Sequence, residues 1–593
     1  MDRDLKEILK EAKRDNGKSK LQAANYYDET EQYKEAFRWY VDVADDGEAS
    51  AQIKVADYYF EGKGVKQDYS KALEWYTKAS TYNSDEAITK LANMYKNGLG
   101  VEKDLKEAYE LYEKAANNEN AEAMYNLAVL LREGDVVDKN DEKAFIYFEK
   151  AANKGYVKAK LNVGYCLCNG IGTKRDVEKG ISFYKEAVSE GNAVAMYNLA
   201  MCYKEGFGVE ENVQKAIELF EMAGKQGHAK SLNELGKIYE TEVGYHKNIG
   251  FAIDCYKRAV ENGYLEAAIR LSEIYFDRNE NKKAIDVLEK NDSNVEVKFA
   301  LGKCYYDGKG VSQNYTKALK YISEAAKENH KLAQYYVGLS YYSGYGVDVN
   351  EEKAIECLKI SAENNCMEAI MFLAKYYEDK GLMECNVMYE KASSLENVDA
   401  MYHLGYNLSH GKLIEKDEVK AIEYYKKAAD KDNKQAQCNL ALCYMNGKGI
   451  DKNLGFAIYW FERAASNGSS VAMYNLGKCY EYGVGVEKND YFSLKYYLKS
   501  ANSNNVEGML AVARLYKNTY KDVEQAMYWY NEAMKNDVDE AYIGLADLYI
   551  SEENIRDENK ALLLLERVKK VDNKYYQSVD KKVKEYLENK VNI

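Results

Sequence analysis

The stretch "EGKGVKQDYSKALEWYTKAS" at residues 61–80 decides the fold. It opens on two glycines, Gly62 and Gly64, and closes on a segment carrying Ala72, Trp75, Tyr76 and Ala79. A glycine pair ahead of a helix is either a phosphate cradle or a hinge that folds one helix back on another. Recurrence separates the two, because a phosphate loop follows a buried strand and occurs once. This pair recurs at Gly98/Gly100, Gly170/Gly172, Gly206/Gly208, Gly308/Gly310, Gly344/Gly346, Gly447/Gly449 and Gly483/Gly485, with no strand pattern before any copy. An apolar residue usually follows, as at Val65, Val101, Val209, Val347 and Ile450. The first glycine suits a left-handed residue ending a helix; the second permits a close reversal, and the valine tucks under the turn. "NGKS" at 16–19 imitates the end of a Walker motif, but Ala12 stands where its first glycine belongs. The pair is a hinge.

The hinge belongs to a longer period. Aligning "AEAMYNLAVLL" (121–131), "AVAMYNLAMCY" (193–203) and "SVAMYNLGKCY" (470–480) sets an anchor at the second small residue of each. The anchor recurs sixteen times, from Ser19 through Ala51, Ala87 and Ala123 to Gly508 and Ala541, and eleven of the fifteen gaps are 36 residues. Four and eight positions on come apolar residues such as Leu127 and Leu131, one face of a 3.6-residue helix. Twenty-one positions on comes a second stripe: Ala216, Leu219, Phe220 and Ala223, or Ala457, Trp460, Phe461 and Ala464. Neither helix buries its stripe alone, so adjacent units must stack. The fold class is all-α.

A unit of the form A-x-A-M-Y-N-L-G…Y-x-x-G-x-G-V…K-A-x-x-W-Y-x-x-A-A resembles the Sel-1-like repeat, a relative of the tetratricopeptide repeat. The resemblance covers residues 16–570. Units near 16–48, 267–296 and 369–399 are similar to the shorter tetratricopeptide form. The family implies a right-handed superhelical α-solenoid of about sixteen antiparallel helix pairs. It also implies a scaffold or adaptor that assembles other proteins, with no catalysis and no cofactor. Two alternatives come with the resemblance: a secreted effector that mimics host adaptors, and a hydrolase of β-lactam or cell-wall type. Capping helices are expected over 1–15, where Leu5, Ile8, Leu9 and Ala12 form a stripe, and over 571–593, where Tyr576, Val579, Val583, Tyr586 and Leu587 form another.

Composition narrows the partners. The chain of 593 residues has 83 basic and 97 acidic side chains, a formal charge of −14, and no basic block. Nucleic acid is excluded as a partner, since phosphate binding needs clustered Lys and Arg. No apolar run approaches the ~18 residues of a membrane helix, and the N-terminus lacks a signal-peptide core. Membrane insertion is not expected, and the localisation expected is cytoplasmic. Proline is absent and tyrosine numbers 57.

The eleven cysteines read as packing, although some secreted relatives in the family staple their repeats with disulfides. Cys166, Cys202, Cys304, Cys443 and Cys479 all lie seven past an anchor, where other units hold Leu130, Ile238, Ile274 and Leu515. Cys255 and Cys357 replace the first aromatic of the second helix. Equivalent positions on packed helices stand ~8–10 Å apart, too far for a disulfide. Free thiols and a reducing compartment follow. The five histidines, His228, His246, His330, His403 and His410, show no zinc spacing and read as exposed or loop residues. "SFYK" (182–185) matches S-x-x-K but lies inside a second helix with no S-D-N or K-T-G.

What remains is surface. In tetratricopeptide arrays the first helices line the concave face, and by that analogy the position two past the anchor faces a groove. Tyr125, Tyr197, Phe299, Tyr335, Tyr402 and Tyr474 hold it, with Leu161. Tyrosine joins a large apolar face to a hydroxyl, which suits protein recognition. Packing between neighbouring first helices is the other reading of this row. Tyr165, Met201, Leu339, Tyr406 and Leu442 follow at six past the anchor. Asn126, Asn162, Asn198, Asn439 and Asn475, three past it, serve either peptide backbone or a structural hydrogen bond.

Overall fold

The computed structural model describes residues 9–12, 17–241, 247–568 and 573–591. Among them there is no strand, and sixteen helix pairs run from Gly17–Glu29 with Tyr33–Asp45 to Asp539–Ser551 with Glu558–Leu565. The protein is an all-α solenoid. It divides into two compact units, Met1–Leu301 and Gly302–Ile593, the division falling inside helix Val295–Asp307.

The repeat Asp85–Asn97 with Leu105–Asn117 shows how 36 residues make one unit. Ser84 begins it, its hydroxyl accepting from Ala87 N. Ala87, Ile88, Leu91, Ala92 and Met94 are buried along the first helix. Gly98 ends that helix in the left-handed region at φ 68°, its N–H and that of Leu99 both bonding Met94 O. A side chain there would be strained. Two turns later Asp104 N bonds Tyr95 O at 3.0 Å, and the Asp104 carboxylate accepts from Lys106 N and Glu107 N to cap the second helix. Asp68, Asn140, Asp176, Asn212, Asn350 and Asn489 repeat that cap. Loss of such a cap costs ~1 kcal/mol.

The second glycine meets a different demand. A Cβ on Gly100 would stand 2.5 Å from the backbone of Tyr69, the first residue of the preceding repeat's second helix. Gly64 meets Tyr33 and Gly346 meets Tyr315 in the same way. Each hinge is therefore laid directly on the start of the helix before it. The glycine is selected by a contact between repeats.

At the ends, residues 9–12 are helical with Ala12 buried, while Leu5 and Ile8 lie outside the described residues. In helix Lys574–Val591, Val579 and Val583 are fully buried and Tyr576 and Leu587 pack beside them. Tyr586 departs from the stripe: it is exposed, with the Arg556 guanidinium 4.8 Å over its ring. Gly17-Lys18-Ser19 lies within helix Gly17–Glu29 with Ser19 buried, so no phosphate loop forms there.

Candidate partner-binding face

The side chains at the second-helix core position dictate what the first helix must carry. Tyr112, Tyr256, Tyr389 and Tyr497 are fully buried, and a buried phenol needs a hydrogen-bond partner. The first helix of the same repeat supplies it. Tyr112 donates to Asn93 at 2.5 Å, Tyr256 to Glu240 at 3.0 Å, Tyr389 to Glu378 at 2.9 Å and Tyr497 to Glu481 at 2.7 Å. Where the facing positions are basic or apolar, the core ring loses its hydroxyl: Phe148 lies under Arg132, and Phe220 and Phe461 are likewise buried. The choice between Tyr and Phe follows the acceptor.

The same acids pair with the next repeat. Lys90 bonds Asp57 at 2.6 Å, Arg270 bonds Glu240 at 2.5 and 2.9 Å, Lys412 bonds Glu378 at 2.7 Å and Arg514 bonds Glu481 at 2.8 Å. Lys204 and Lys237 converge on Glu234, each at 2.6 Å. Burial pushes the Glu234 carboxyl up, but the hydrogen bonds and charges of these lysines outweigh it and hold the group below the usual carboxylate range. Links of this kind are half-exposed and contribute ~1 kcal/mol or less each. They join the first helices of successive repeats or, at Lys412, the turn that follows one.

The rings two past the anchor sit beside this ladder. Tyr125 lies 5.7 Å from Phe148 and 5.1 Å from Tyr156; Tyr197 lies 5.8 Å from Phe220 and 5.2 Å from His228. Tyr474 lies 5.6 Å from Tyr497 and Tyr402 lies 6.4 Å from Tyr425. Tyr335 meets Tyr336 at 5.4 Å, and Phe299 is half-buried on its helix. Tyr125, Tyr197, Tyr402 and Tyr474 lean on the core aromatic of their own repeat, and all six rings keep part of their surface open. At six past the anchor, Tyr165 and Tyr406 are exposed, while Met201, Leu339 and Leu442 are half-buried.

The asparagines make structural bonds. Asn162 accepts from Arg132 at 3.0 Å and donates to Lys158 O, Asn439 donates to Tyr425 Oη at 3.3 Å, and Asn475 donates to Val471 O. Asn126 meets Asn93 at 3.5 Å, and Asn198 lines a polar cavity of about 480 Å³ with Asn162 and Arg132. Reading the histidines as exposed or loop residues needs correction at His403 alone among the described residues: His410 is exposed, and His228 and His330 lie in the connections between helices. His228 and His330 are helix N-caps whose Nδ1 atoms accept from Ser231 N and Ala333 N. His403 is a half-buried helical residue stacked 5.0 Å from Tyr389, and burial lowers its pKa. An imidazole can take the place of Asn at a cap because it too offers an acceptor two atoms from Cβ. His246 lies outside the described residues.

All eleven cysteines are unpaired, and all but the half-buried Cys357 and Cys443 are buried. Burial pushes the thiols of Cys202, Cys304 and Cys479 up to about 11 and that of Cys438 up to about 12. They are inert fillers under ordinary conditions. Ser182 lies in helix Val177–Ser189 and its hydroxyl donates to Lys179 O at 2.7 Å. Among the described residues no group of three His, Cys, Asp or Glu could hold a metal, and no helix is long and apolar enough to cross a membrane. The caps, the ladder and the Tyr/acceptor pairing escaped the sequence reading. An Asp or Asn four before most second-helix alanines was the visible trace of the caps.

The family model described as Sel1 repeat matches twelve segments: 49–81, 85–120, 121–156, 157–192, 193–228, 229–264, 295–330, 331–366, 398–433, 434–469, 470–505 and 509–537. None of the curated proteins matches the chain. Among solved structures, it is similar to c5321, a protective antigen present in uropathogenic Escherichia coli strains displaying an SLR fold. That likeness has 25% identity, 85% of this chain and 96% of the other covered, and a TM-score of 0.46. A Sel1 repeat protein from Oxalobacter formigenes is 27% identical over 41% of this chain and 99% of its own, with a TM-score of 0.39. The immunity protein Pa5087 from Pseudomonas aeruginosa is 23% identical over 36% and 81%, with a TM-score of 0.26. With its hinges, paired helices and twelve matched segments, the chain belongs to the Sel1 repeat family.

Proposed function

We propose that the chain is a non-catalytic scaffold that binds partner proteins along the first-helix face of its repeats. Sel1 repeat proteins generally mediate protein–protein interaction, and their solenoid fold is typically a non-catalytic scaffold. The observation that carries this reading to particular residues is the row of half-open rings at Tyr125, Tyr197, Phe299, Tyr335, Tyr402 and Tyr474. Beside Tyr197 and Tyr474 the charges are paired within the protein, Lys204 and Lys237 with Glu234 and Arg514 with Glu481. A partner there meets aromatic edges beside paired charges, the surface type on which a few rings dominate binding. No cofactor is assigned, and the unpaired buried thiols are compatible with a reducing, cytoplasmic location.

The test begins with cross-linking and co-purification from the source organism to identify a partner. Tyr125, Tyr197, Tyr335 and Tyr474 are then replaced together by Ser. Capture should be abolished with helicity retained, each half-buried ring costing about 1–2 kcal/mol of local stability. Undiminished capture by a variant with native circular dichroism would move the binding surface away from this row.

A further inference from the structure

The unit at 367–394 breaks the surface pattern of the array. Helices Met367–Asp379 and Glu384–Ser394 are joined by a short turn containing Gly381, Leu382 and Met383, without a Gly-x-Gly hinge. Leu382, Met383 and Val387 are 41%, 66% and 58% exposed. Most other repeats put polar residues at the position of Met383, among them Ser70, Lys106, Glu142, Glu178, Gln214 and Glu352. Glu74, Glu110, Glu218, Glu356 and Glu423 likewise stand where Val387 does. Val419 and Tyr491 are also exposed at the first of these positions and Ile146, Tyr459, Tyr528 and Leu563 at the second, but this unit alone holds apolar side chains at both.

These three side chains border a cleft of about 580 Å³ whose other wall is Leu404, Leu413 and Ile414. It shares Ile414 and Lys420 with a neighbouring cleft of about 680 Å³ lined by Glu415, Lys416, Asp417 and Glu418. Around the two, five carboxylates (Glu384, Glu390, Glu415, Asp417 and Glu418) face only Lys416 and Lys420. Lys416 pairs with Glu418 at 2.7 Å and Lys420 with Glu390 at 4.0 Å. An apolar slot with an acidic rim is complementary to an apolar side chain flanked by cations.

We propose that this cleft docks a basic peptide segment of a partner protein, one that inserts apolar side chains between Leu382, Met383, Val387 and Leu413. The inference rests on the scaffold reading and names one partner chemistry for it.

Fluorescence anisotropy on the full chain tests it. One probe is a labelled heptapeptide with a Leu-Trp-Leu centre flanked by lysines; the other carries glutamates in their place. The lysine peptide should bind at least about tenfold more tightly, with the advantage shrinking as salt rises. Changing Met383 and Val387 together to Ser should weaken it about tenfold, and their exposure leaves folding intact. Glu384→Gln with Glu415→Gln should reduce the preference between the peptides. Equal binding of the two probes, or binding indifferent to Met383 and Val387, overturns the proposal. A dimer in sedimentation that the same double change dissociates also overturns it, making a second copy the occupant. Peptide binding retained by the tyrosine-row variant supports a separate slot. Failed peptide binding beside intact partner capture through the row removes the slot and leaves the scaffold standing.

Discussion

Gly172 and Leu413 hold the same place in two turns under opposite constraints. Both are left-handed, at φ 64° and 57°. A Cβ on Gly172 would stand 1.9 Å from Asp141 O, the carbonyl of the first residue of the preceding second helix. Before Leu413 the preceding repeat is cut short, and its second helix begins only at Glu384. Room opens, and a leucine fills part of it. The turn is then held by side chains: Asn386 Nδ2 donates to Leu413 O at 2.8 Å, Asn407 donates to Asn386 Oδ1 at 2.9 Å, and Lys412 reaches Glu378. Asn407 occupies the position of Cys166, Cys202 and Cys479. Gly172 thus records its neighbour's backbone, and Leu413 records the later start of its own neighbour.

The largest expected effect breaks the regular side of this comparison. Gly172→Ala adds a Cβ into fixed backbone at an unfavourable φ, and should cost about 3 kcal/mol or more. Because repeat stability is nearly a sum of neighbours, hydrogen exchange should rise across residues 141–189 and little elsewhere.

Next comes Glu378, which ties the shortened unit to the Leu413 turn. Burial pushes its carboxyl up, but Lys412 and Tyr389 outweigh that and hold it below its ordinary 4.5. A depressed folded pKa means stability that is complete above pH 4.5 and lost as pH falls through the folded value. Glu378→Gln should cost about 1–2 kcal/mol at pH 7 and flatten the melting temperature's fall below pH 4.5. An unchanged acid profile would refute the role of this carboxylate.

Tyr389→Phe and Tyr497→Phe compare the cores of the short and full repeats. Each removes one hydroxyl bond to a first-helix glutamate and should cost about 1 kcal/mol. Equal losses in denaturant melts are expected, because the shortened turn leaves the core pairing untouched. A loss confined to Tyr497 would show that truncation reaches the core.

The smallest effect belongs to Leu413→Gly. Relief of the left-handed strain and loss of a half-buried leucine are each about 1 kcal/mol and oppose one another. The net change should stay under about 1 kcal/mol, in contrast to the reverse type of change at Gly172. A large destabilisation would mean that Leu413 packs as core.

The helix pairs, their number and the hinge between them were legible in the chain, because a 36-residue period states the same constraint many times. Ala123 and Leu127 say little singly; in register with Ala195 and Leu199 they specify one face of a stacked helix. The left-handed C-cap followed from Gly98 and its copies by the same logic. What the linear pattern withheld lay between helices. The acceptor under each buried tyrosine, the ladder from Glu240 to Arg270 and the half-open packing of Tyr125 on Phe148 join residues 11 to 30 apart whose spacing varies with side-chain reach. The second glycine's purpose was withheld for that reason too, since Asp141 touches Gly172 only after two helices have folded back. Periodicity alone determined which residues are buried, because burial repeats with the helix turn. Only the tertiary structure decided which polar groups meet and where the surface opens into a cleft, because those depend on the neighbour each repeat happens to have.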